Sequence, residues 1–179
     1  FAATDLTTQF DFDYATDLYQ PFNGGPYVMP GMGAFLKVGM LDVFEDYKLE
    51  GGFRYSFNRS GSEYFISLED RSKRWDKKYI VQRQSLIDAN RTDSIQRTYL
   101  YQVRGIFRYP LSEVGALQFA TSARMDRQVT EALEAGSLQT PDRLNYFIGI
   151  KAEYIFDNTL IKALNIRNGA RVKVFAEHY

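Results

Sequence analysis

TYLYQVRGIFRY, residues 98–109, alternates apolar and polar side chains with a period of two, which is the spacing of a β-strand with two different faces. The apolar members of the stretch are Tyr99, Tyr101, Val103, Phe107 and Tyr109. The polar members, on the opposite face, are Thr98, Gln102, Arg104 and Arg108. The stretch therefore predicts a long strand, of about a dozen residues, with one apolar and one charged face.

The same alternation recurs in about nine segments, separated by clusters of turn-forming residues, and helical spacing is nearly absent. The segments lie near residues 6–14, 32–40, 48–58, 64–68, 78–85, 98–109, 115–129, 145–156 and 171–177. The fifth of them has the weakest pattern. An aromatic content of 13 Tyr and 14 Phe also favours strands. The chain is predicted to be all-β and antiparallel, with residues 1–179 in a single domain.

The predicted connections differ in length on the two sides of the sheet. Longer polar or Gly/Pro-rich connections cover residues 17–31, 86–94 and 130–142, whereas short turns at 45–46 and 110–113 take alternate positions. Residues 157–169 are an exception, because they are long and fall on the short side. Long loops on one rim and tight turns on the other are typical of transmembrane β-barrels.

The composition excludes several other classes of protein. Lys plus Arg and Asp plus Glu number 22 each, so no net charge favours a nucleic-acid partner. The chain has no Cys, which excludes a disulfide or a thiolate metal site. No apolar run reaches the roughly 20 residues that a membrane helix needs. The start at Phe1, without Met or a signal sequence, is expected of a mature, trimmed or internal piece.

Two features favour lipid over a second packed sheet as the partner of the apolar faces. The predicted strands reach the nine or so residues that a tilted span needs, and tyrosines lie near strand ends, as in aromatic belts at membrane interfaces. The residues predicted to face lipid are Phe53, Tyr55, Tyr99, Tyr101, Phe107, Ile148, Ile150 and Tyr154. The residues predicted to line the lumen are Lys37, Glu50, Arg54, Arg104, Arg108, Lys151 and Glu153. The alternative is that the tyrosines are half-buried residues of an ordinary sheet.

The pattern thus predicts an antiparallel transmembrane β-barrel. About nine antiparallel strands cannot close a barrel by ordinary antiparallel pairing, so we expect this domain to be part of a larger barrel. The register that leads to Tyr179 also matches a terminal outer-membrane strand poorly.

Chemistry-bearing patterns are sparse. His178 is the only histidine, with no nucleophile elbow, phosphate-binding loop or metal-ligand spacing around it. Two clusters of acidic residues could hold calcium, but solvated turns are the preferred interpretation of both. The clusters are Asp11 with Asp13, and Asp42 with Glu45 and Asp46. A run of basic residues beside Trp75 could contact phosphate headgroups or an acidic partner. The preferred interpretation of this run is a solvated turn. Its members are Arg71, Lys73, Arg74, Lys77 and Lys78.

Two motifs carry a resemblance to a known family. GIFRYPLSEV at 105–114, followed by Leu117, Arg124 and Arg127, looks like a paired hairpin. YIFDNT at 154–159 precedes Gly169 and Arg171. Both resemble the barrel of the bacterial surface-antigen superfamily, which includes BamA-type assembly factors and two-partner secretion transporters. The strongest similarity is to the barrel behind a TolB-like propeller in Bacteroidota, where DVFEDY (42–47), GGFR (51–54) and WDKKY (75–79) have counterparts.

The resemblance covers nearly the whole chain but only the first half of a roughly sixteen-stranded barrel. It implies a turn motif made of Asp157, Asn158, Thr159, Gly169 and Arg171.

The functional expectation is an outer-membrane barrel of surface-antigen type, not an enzyme and without a cofactor or metal. It would take part in outer-membrane protein assembly or translocation, or anchor a larger envelope complex. Expected partners are outer-membrane lipid or lipopolysaccharide and other envelope proteins, with no nucleic acid. The long loops would lie outside a Gram-negative cell and the short turns in the periplasm. The alternatives are a porin-like passive diffusion channel and a soluble lipocalin-like carrier, whose apolar face would point inward.

Overall fold

The computed structural model describes residues 1–11, 32–57, 61–88, 95–131, 141–163 and 166–178. Within them the chain forms eleven strands and no helix. The strands are β1 (Ala2–Asp11), β2 (Gly33–Leu41), β3 (Tyr47–Ser56), β4 (Ser62–Asp70), β5 (Asp76–Asp88), β6 (Ile95–Pro110), β7 (Gly115–Glu131), β8 (Arg143–Asp157), β9 (Leu160–Ala163), β10 (Ile166–Asn168) and β11 (Arg171–His178). The prediction of an all-β chain is confirmed.

Nine of these strands form one open antiparallel sheet, in the order β1-β2-β3-β4-β5-β6-β7-β8-β11. Each strand pairs with its neighbours along the sequence, as in a meander. The exception is β11, which pairs with β8 because β9 and β10 form a small hairpin of their own between them. The nine predicted segments correspond to the nine strands of the sheet, and the long exception at 157–169 contains the hairpin.

Some boundaries differ from the sequence-based prediction. A loop predicted from Leu86 is wrong for residues 86–88, which continue β5, and β7 runs to Glu131 instead of ending at residue 129. Both strands extend because they pair with β6, which continues the ladder as far as Gln96 opposite β5 and as far as Ile95 opposite β7. The predicted loop at 17–31, and the part of the first segment beyond Asp11, lie outside the described residues.

The two faces of the sheet are buried to different degrees. Among the described residues, the buried polar side chains on one face are Glu50, Arg54, Ser56, Ser67, Gln102, Asp126 and Glu153. The buried apolar residues Leu100 and Ala116 lie on that same face, while most large apolar side chains on the opposite face are exposed. A single sheet can bury side chains without a second layer where they crowd together on a concave side. The polar face is therefore the more buried of the two faces.

Candidate functional site

The strand register separates the predicted site residues into two sets on opposite faces. All the side chains that were predicted to face lipid lie on one face, which we call the apolar face. All those that were predicted to line a lumen lie on the other, the polar face. Ile148 on the apolar face is 74 % exposed, whereas Glu153 on the polar face of the same strand is 3 % exposed. The distribution of burial is the reverse of that in a water-soluble sheet protein, where the apolar face forms the core.

The centre of the apolar face is aliphatic. One row of paired residues crosses five strands there: Ile66, Val81, Val103, Ala123 and Ile148. The neighbouring row lies two residues away on each strand, in the direction of the long connections. Its members are Tyr64, Arg83, Tyr101, Met125 and Tyr146. Both rows line a groove of about 700 Å³. The first row thus forms an aliphatic surface without a protein partner in the described residues, and Arg83 is the charged member of the second row.

Aromatic side chains concentrate where the apolar face approaches the short turns. The rings of Trp75 and Tyr109 have their centroids 5.0 Å apart, and those of Tyr79 and Phe107 lie 6.1 Å apart in an edge-on arrangement. The guanidinium of Arg74 sits 4.6 Å from the Tyr109 ring centroid, a cation–π contact. This end of the face carries amphipathic rings next to charge.

A second aromatic group lies toward the long connections. There the rings of Tyr64, Tyr99 and Tyr101 surround the guanidinium of Arg83. Further along the same side, Phe10 and Phe57 stack with centroids 6.3 Å apart. The apolar face is thus bordered by aromatic rings at both strand ends, with aliphatic side chains between them.

The polar face near the short turns contains a network of ion pairs around Glu50. The Lys37 Nζ atom lies 2.7 Å from one Glu50 carboxylate oxygen, and the Lys48 Nζ atom lies 3.2 Å from it. Lys78, two strands away, approaches the other oxygen at 3.6 Å and also lies 3.8 Å from Glu69. A buried carboxylate is stable here because several cations compensate its loss of water.

A second network joins β7, β8 and β11 on the polar face. The Glu153 carboxylate lies 2.8 Å from Lys151 Nζ and 3.0 Å from Lys173 Nζ, and it accepts a hydrogen bond of 2.7 Å from the Gln118 side chain. Lys151 in addition lies 3.9 Å from Glu177. These contacts link three adjacent strands through side chains.

Between the two networks the polar face is held by amide and guanidinium groups. Gln82 donates to Gln102 at 3.0 Å, Arg104 donates to the same Gln102 oxygen at 3.5 Å, and Arg124 donates to Asp126 at 2.6 Å. Gln84 donates a short hydrogen bond to Glu63. Arg54 is buried, while Arg108 is exposed near the turn end, where it pairs in register with Asp76. These contacts link the polar side chains of neighbouring strands between the two ion-pair networks.

The residues of the turn motif do come together. Asp157 Oδ1 accepts hydrogen bonds from the Thr159 amide at 3.1 Å and from its hydroxyl at 2.6 Å, and Asp157 Oδ2 lies 3.2 Å from Arg171 Nε. Asn158 Oδ1 accepts from the Ala170 amide at 2.6 Å. Gly169 has φ of +128°, and a Cβ there would lie 2.6 Å from the Asn158 carbonyl oxygen. The five residues hold the ends of β8 and β11 together.

The basic run is split between a turn and a strand. Arg71 Nε donates to Glu69 at 2.6 Å, and this hydrogen bond raises the pKa of the guanidinium. Lys77 lies 3.9 Å from Asp70, and Lys78 belongs to the Glu50 network. Much of the run is therefore neutralised by acidic neighbours, and Arg74 contacts Tyr109 instead.

The remaining candidates stay apart. His178 is exposed at the end of β11, paired in register with Ile150. Asp42, Glu45 and Asp46 lie in the β2–β3 turn, where Glu45 has φ of +61°, and Asp13 falls outside the described residues. Within the ranges that the structure describes, no three potential metal ligands cluster. The same ranges contain no apolar helix of membrane-spanning length.

Arg83 is not among the site residues predicted from the sequence. The weak alternation of the fifth segment hid a cation that occupies an apolar-face position, two residues beyond Val81. Its spacing could have identified it, because Tyr79, Val81 and Arg83 are two residues apart and alternate residues of a strand lie on the same face.

Comparison with known proteins identifies no relative: no family model, no curated protein and no solved structure matches the chain. The two faces of the sheet and their borders are therefore the observations from which a function is inferred.

Proposed function

We propose that this chain forms part of a transmembrane β-barrel in the outer membrane of a Gram-negative bacterium. Its apolar face contacts lipid acyl chains, and its polar face surrounds an enclosed interior. The observation that carries the proposal is the reversed burial, in which charged side chains such as Glu153 are buried while aliphatic ones such as Ile148 are exposed. In lipid, exposed apolar side chains are in their preferred solvent.

The height of the apolar face supports a membrane span. On β6 the apolar positions run from Tyr99 to Tyr109. At about 3.3 Å per residue this stretch is about 33 Å long, and at a strand tilt of about 40° it spans about 25 Å, the usual height of the apolar band of outer-membrane barrels. The length of the strand thus fits the bilayer.

The aromatic borders support the same proposal. Trp75 and Tyr109 lie at the turn end of the apolar face, and Tyr99 and Tyr101 lie at the loop end. Trp and Tyr prefer the two interfaces of a membrane because their rings are apolar while their N–H or O–H groups need water or headgroups.

The two edges of the sheet indicate how the proposed barrel would close. Within the described residues β1 and β11 each pair on one side only. An unpaired edge cannot be tolerated in lipid, so the barrel includes further strands that close it between β1 and β11. The domain described here is then one part of a larger barrel.

The role of the barrel follows from the resemblance of GIFRYPLSEV (105–114) and YIFDNT (154–159) to surface-antigen barrels. We infer a part in outer-membrane protein assembly or translocation, or as the anchor of an envelope complex, with lipopolysaccharide and other envelope proteins as partners. A passive diffusion channel would have the same two-faced barrel wall. It would conduct ions, whereas a barrel for assembly or anchoring need not. A lipocalin-like carrier would bury Ile148 and expose Glu153, opposite to their burial here.

Cell fractionation tests the proposal. The protein that carries this chain is expressed in a Gram-negative host, and its membranes are washed with sodium carbonate at high pH. We expect the protein to stay in the outer-membrane fraction and to migrate faster on unheated than on heated SDS gels, as folded barrels do. Recovery as a compact monomer in buffer without detergent would exclude both the barrel and the channel.

A further inference from the structure

Arg83 is a cation at a position where the rest of the row is uncharged. It lies on β5, paired with Tyr64 on one side and with Tyr101 on the other. The next apolar-face position toward the turn is Val81, which is exposed. An arginine on a lipid-facing surface is costly unless its charge is matched, so its presence calls for a partner.

Three tyrosine rings hold the guanidinium in place. Its central carbon lies 5.3 Å from the centroid of Tyr64, 5.0 Å from that of Tyr99 and 5.5 Å from that of Tyr101. Arg83 Nε donates a hydrogen bond of 3.3 Å to the Tyr101 hydroxyl. Tyr64 is a second hydrogen-bond partner of the side chain, and a guanidinium, with five N–H donors, still has others available.

Within the described part of the chain, Arg83 forms no ion pair with a carboxylate, and a nearby arginine shows the contrast. Arg127 lies on the same face and side, paired in register with Tyr99, and donates two hydrogen bonds of 2.8 and 2.6 Å to Asp142. Arg127 is therefore neutralised by the protein itself. Arg83 is held by rings, which position a positive charge without cancelling it.

The surroundings of Arg83 combine a charge with an apolar surface. Arg83 lines the groove of about 700 Å³ together with Val81, Val103 and Ile148. A lipid with an anionic headgroup offers both parts, since its phosphate matches the guanidinium and its acyl chains match the aliphatic floor. Arginine binds phosphate through two parallel hydrogen bonds, which suits a fixed and oriented guanidinium.

We propose that Arg83, oriented by Tyr64, Tyr99 and Tyr101, binds a phosphate group of the lipid A portion of lipopolysaccharide in the outer leaflet. This inference rests on the proposed membrane function, because it takes the loop side of the sheet as the cell exterior. Arg83 lies one apolar-face row inside Tyr99, the loop-side end of the apolar band, and its guanidinium reaches the Tyr99 ring there. Its long side chain thus extends from within the apolar band toward the headgroup phosphates. The acyl chains then lie along the groove.

Lipid binding to the detergent-solubilised protein tests this proposal by native mass spectrometry. The probes are diphosphoryl lipid A, the same lipid with its phosphates removed, and inorganic phosphate as competitor. The variants are Arg83→Gln, Arg83→Lys, and two matched controls, Arg127→Gln and Arg74→Gln. Arg74 also contacts a tyrosine ring, but at the opposite border of the face. Heat-modifiable migration on SDS gels verifies that each variant is folded.

We expect Arg83→Gln to weaken binding of diphosphoryl lipid A about tenfold, Arg83→Lys to weaken it less, and both controls to bind like the parent, since only Arg83 donates to the phosphate. The parent protein, which needs no folding control, should prefer the phosphorylated over the dephosphorylated lipid by a similar factor.

Equal binding by Arg83→Gln, or no preference for the phosphorylated lipid, overturns the proposal. Displacement of lipid A by millimolar inorganic phosphate also overturns it, in favour of a free-anion site. In each case carbonate-resistant membrane association would leave the barrel itself standing. Release of the parent protein into buffer would instead remove the proposed function and this site together.

Discussion

Phe53 and Arg54 are adjacent in β3, yet Phe53 is 46 % exposed and Arg54 is 4 % exposed. In a water-soluble protein the two values would be exchanged, because transfer of a phenyl ring from water to the interior is favourable and transfer of a guanidinium is not. The same alternation holds along the sheet, where successive residues lie on an exposed apolar face and a crowded polar face in turn. This relationship leads to predictions that differ between a lipid and a water environment.

A charge placed at the centre of the apolar face should destabilise the barrel in lipid. Val103→Arg is expected to lower the free energy of unfolding by about 2–4 kcal/mol, the range for an arginine at the bilayer midplane. Urea unfolding in lipid vesicles, followed by tryptophan fluorescence, measures the difference. The matched control is Leu111→Arg, an exposed position in the β6–β7 turn, which should be nearly neutral. Equal effects of the two substitutions would argue that Val103 faces water.

Removal of the Glu153 charge should destabilise the β7–β8–β11 region. Glu153→Gln leaves Lys151 and Lys173 close together without their shared carboxylate. Both lysines are partly exposed, so we expect a loss of about 1–3 kcal/mol instead of the larger penalty for a fully buried pair. The same unfolding assay applies, with Glu113→Gln in the exposed β6–β7 turn as control. A combined Glu153→Gln, Lys151→Met variant should recover part of the loss, and a lack of recovery would contradict the ion pairing.

Gly169 should be needed for the turn between the hairpin and β11. Its φ of +128° is rarely adopted by residues with a side chain, and a Cβ would lie 2.6 Å from the Asn158 carbonyl oxygen. Gly169→Ala is expected to cost about 1–3 kcal/mol of unfolding free energy through backbone strain. Gly51→Ala is the control, because its Cβ would meet only the Phe65 carbonyl oxygen at 3.8 Å. Comparable losses at the two positions would show that the turn does not require glycine.

Trp75 should report an interfacial position. It is the only tryptophan, so its fluorescence needs no correction for others. In vesicles we expect strong quenching by lipids brominated near the headgroup and weak quenching by lipids brominated near the acyl terminus, because the ring borders the apolar face beside Tyr109. Absence of quenching by either lipid would place the turn away from the bilayer.

The faces of the sheet could be predicted from the sequence, whereas the contacts across it could not. Alternation in residues 98–109 determines which side chains share a face, since the period of a strand is two. It does not determine the row in which a residue lies, so the approach of Lys78 to Glu50 from two strands away was not predictable. That contact depends on the register of three strands together.

Short elements and irregular positions also escaped prediction. The hairpin strands Leu160–Ala163 and Ile166–Asn168 are 4 and 3 residues long, too short for alternation to be recognised. Arg83 interrupted an apolar pattern, which made the fifth segment look weak although β5 has 13 residues. The contact that explains it, with Tyr64, Tyr99 and Tyr101, joins three strands and is visible only in the fold.

A fluorescent probe on the apolar face tests directly whether that face contacts lipid. In the double variant Trp75→Phe, Ile148→Trp, the single tryptophan occupies a position that is 74 % exposed in the structure. We predict strong quenching by lipids brominated along the acyl chain and protection from aqueous iodide. Quenching by iodide without quenching by the brominated lipids would show that this face lies in water, and would contradict the membrane barrel.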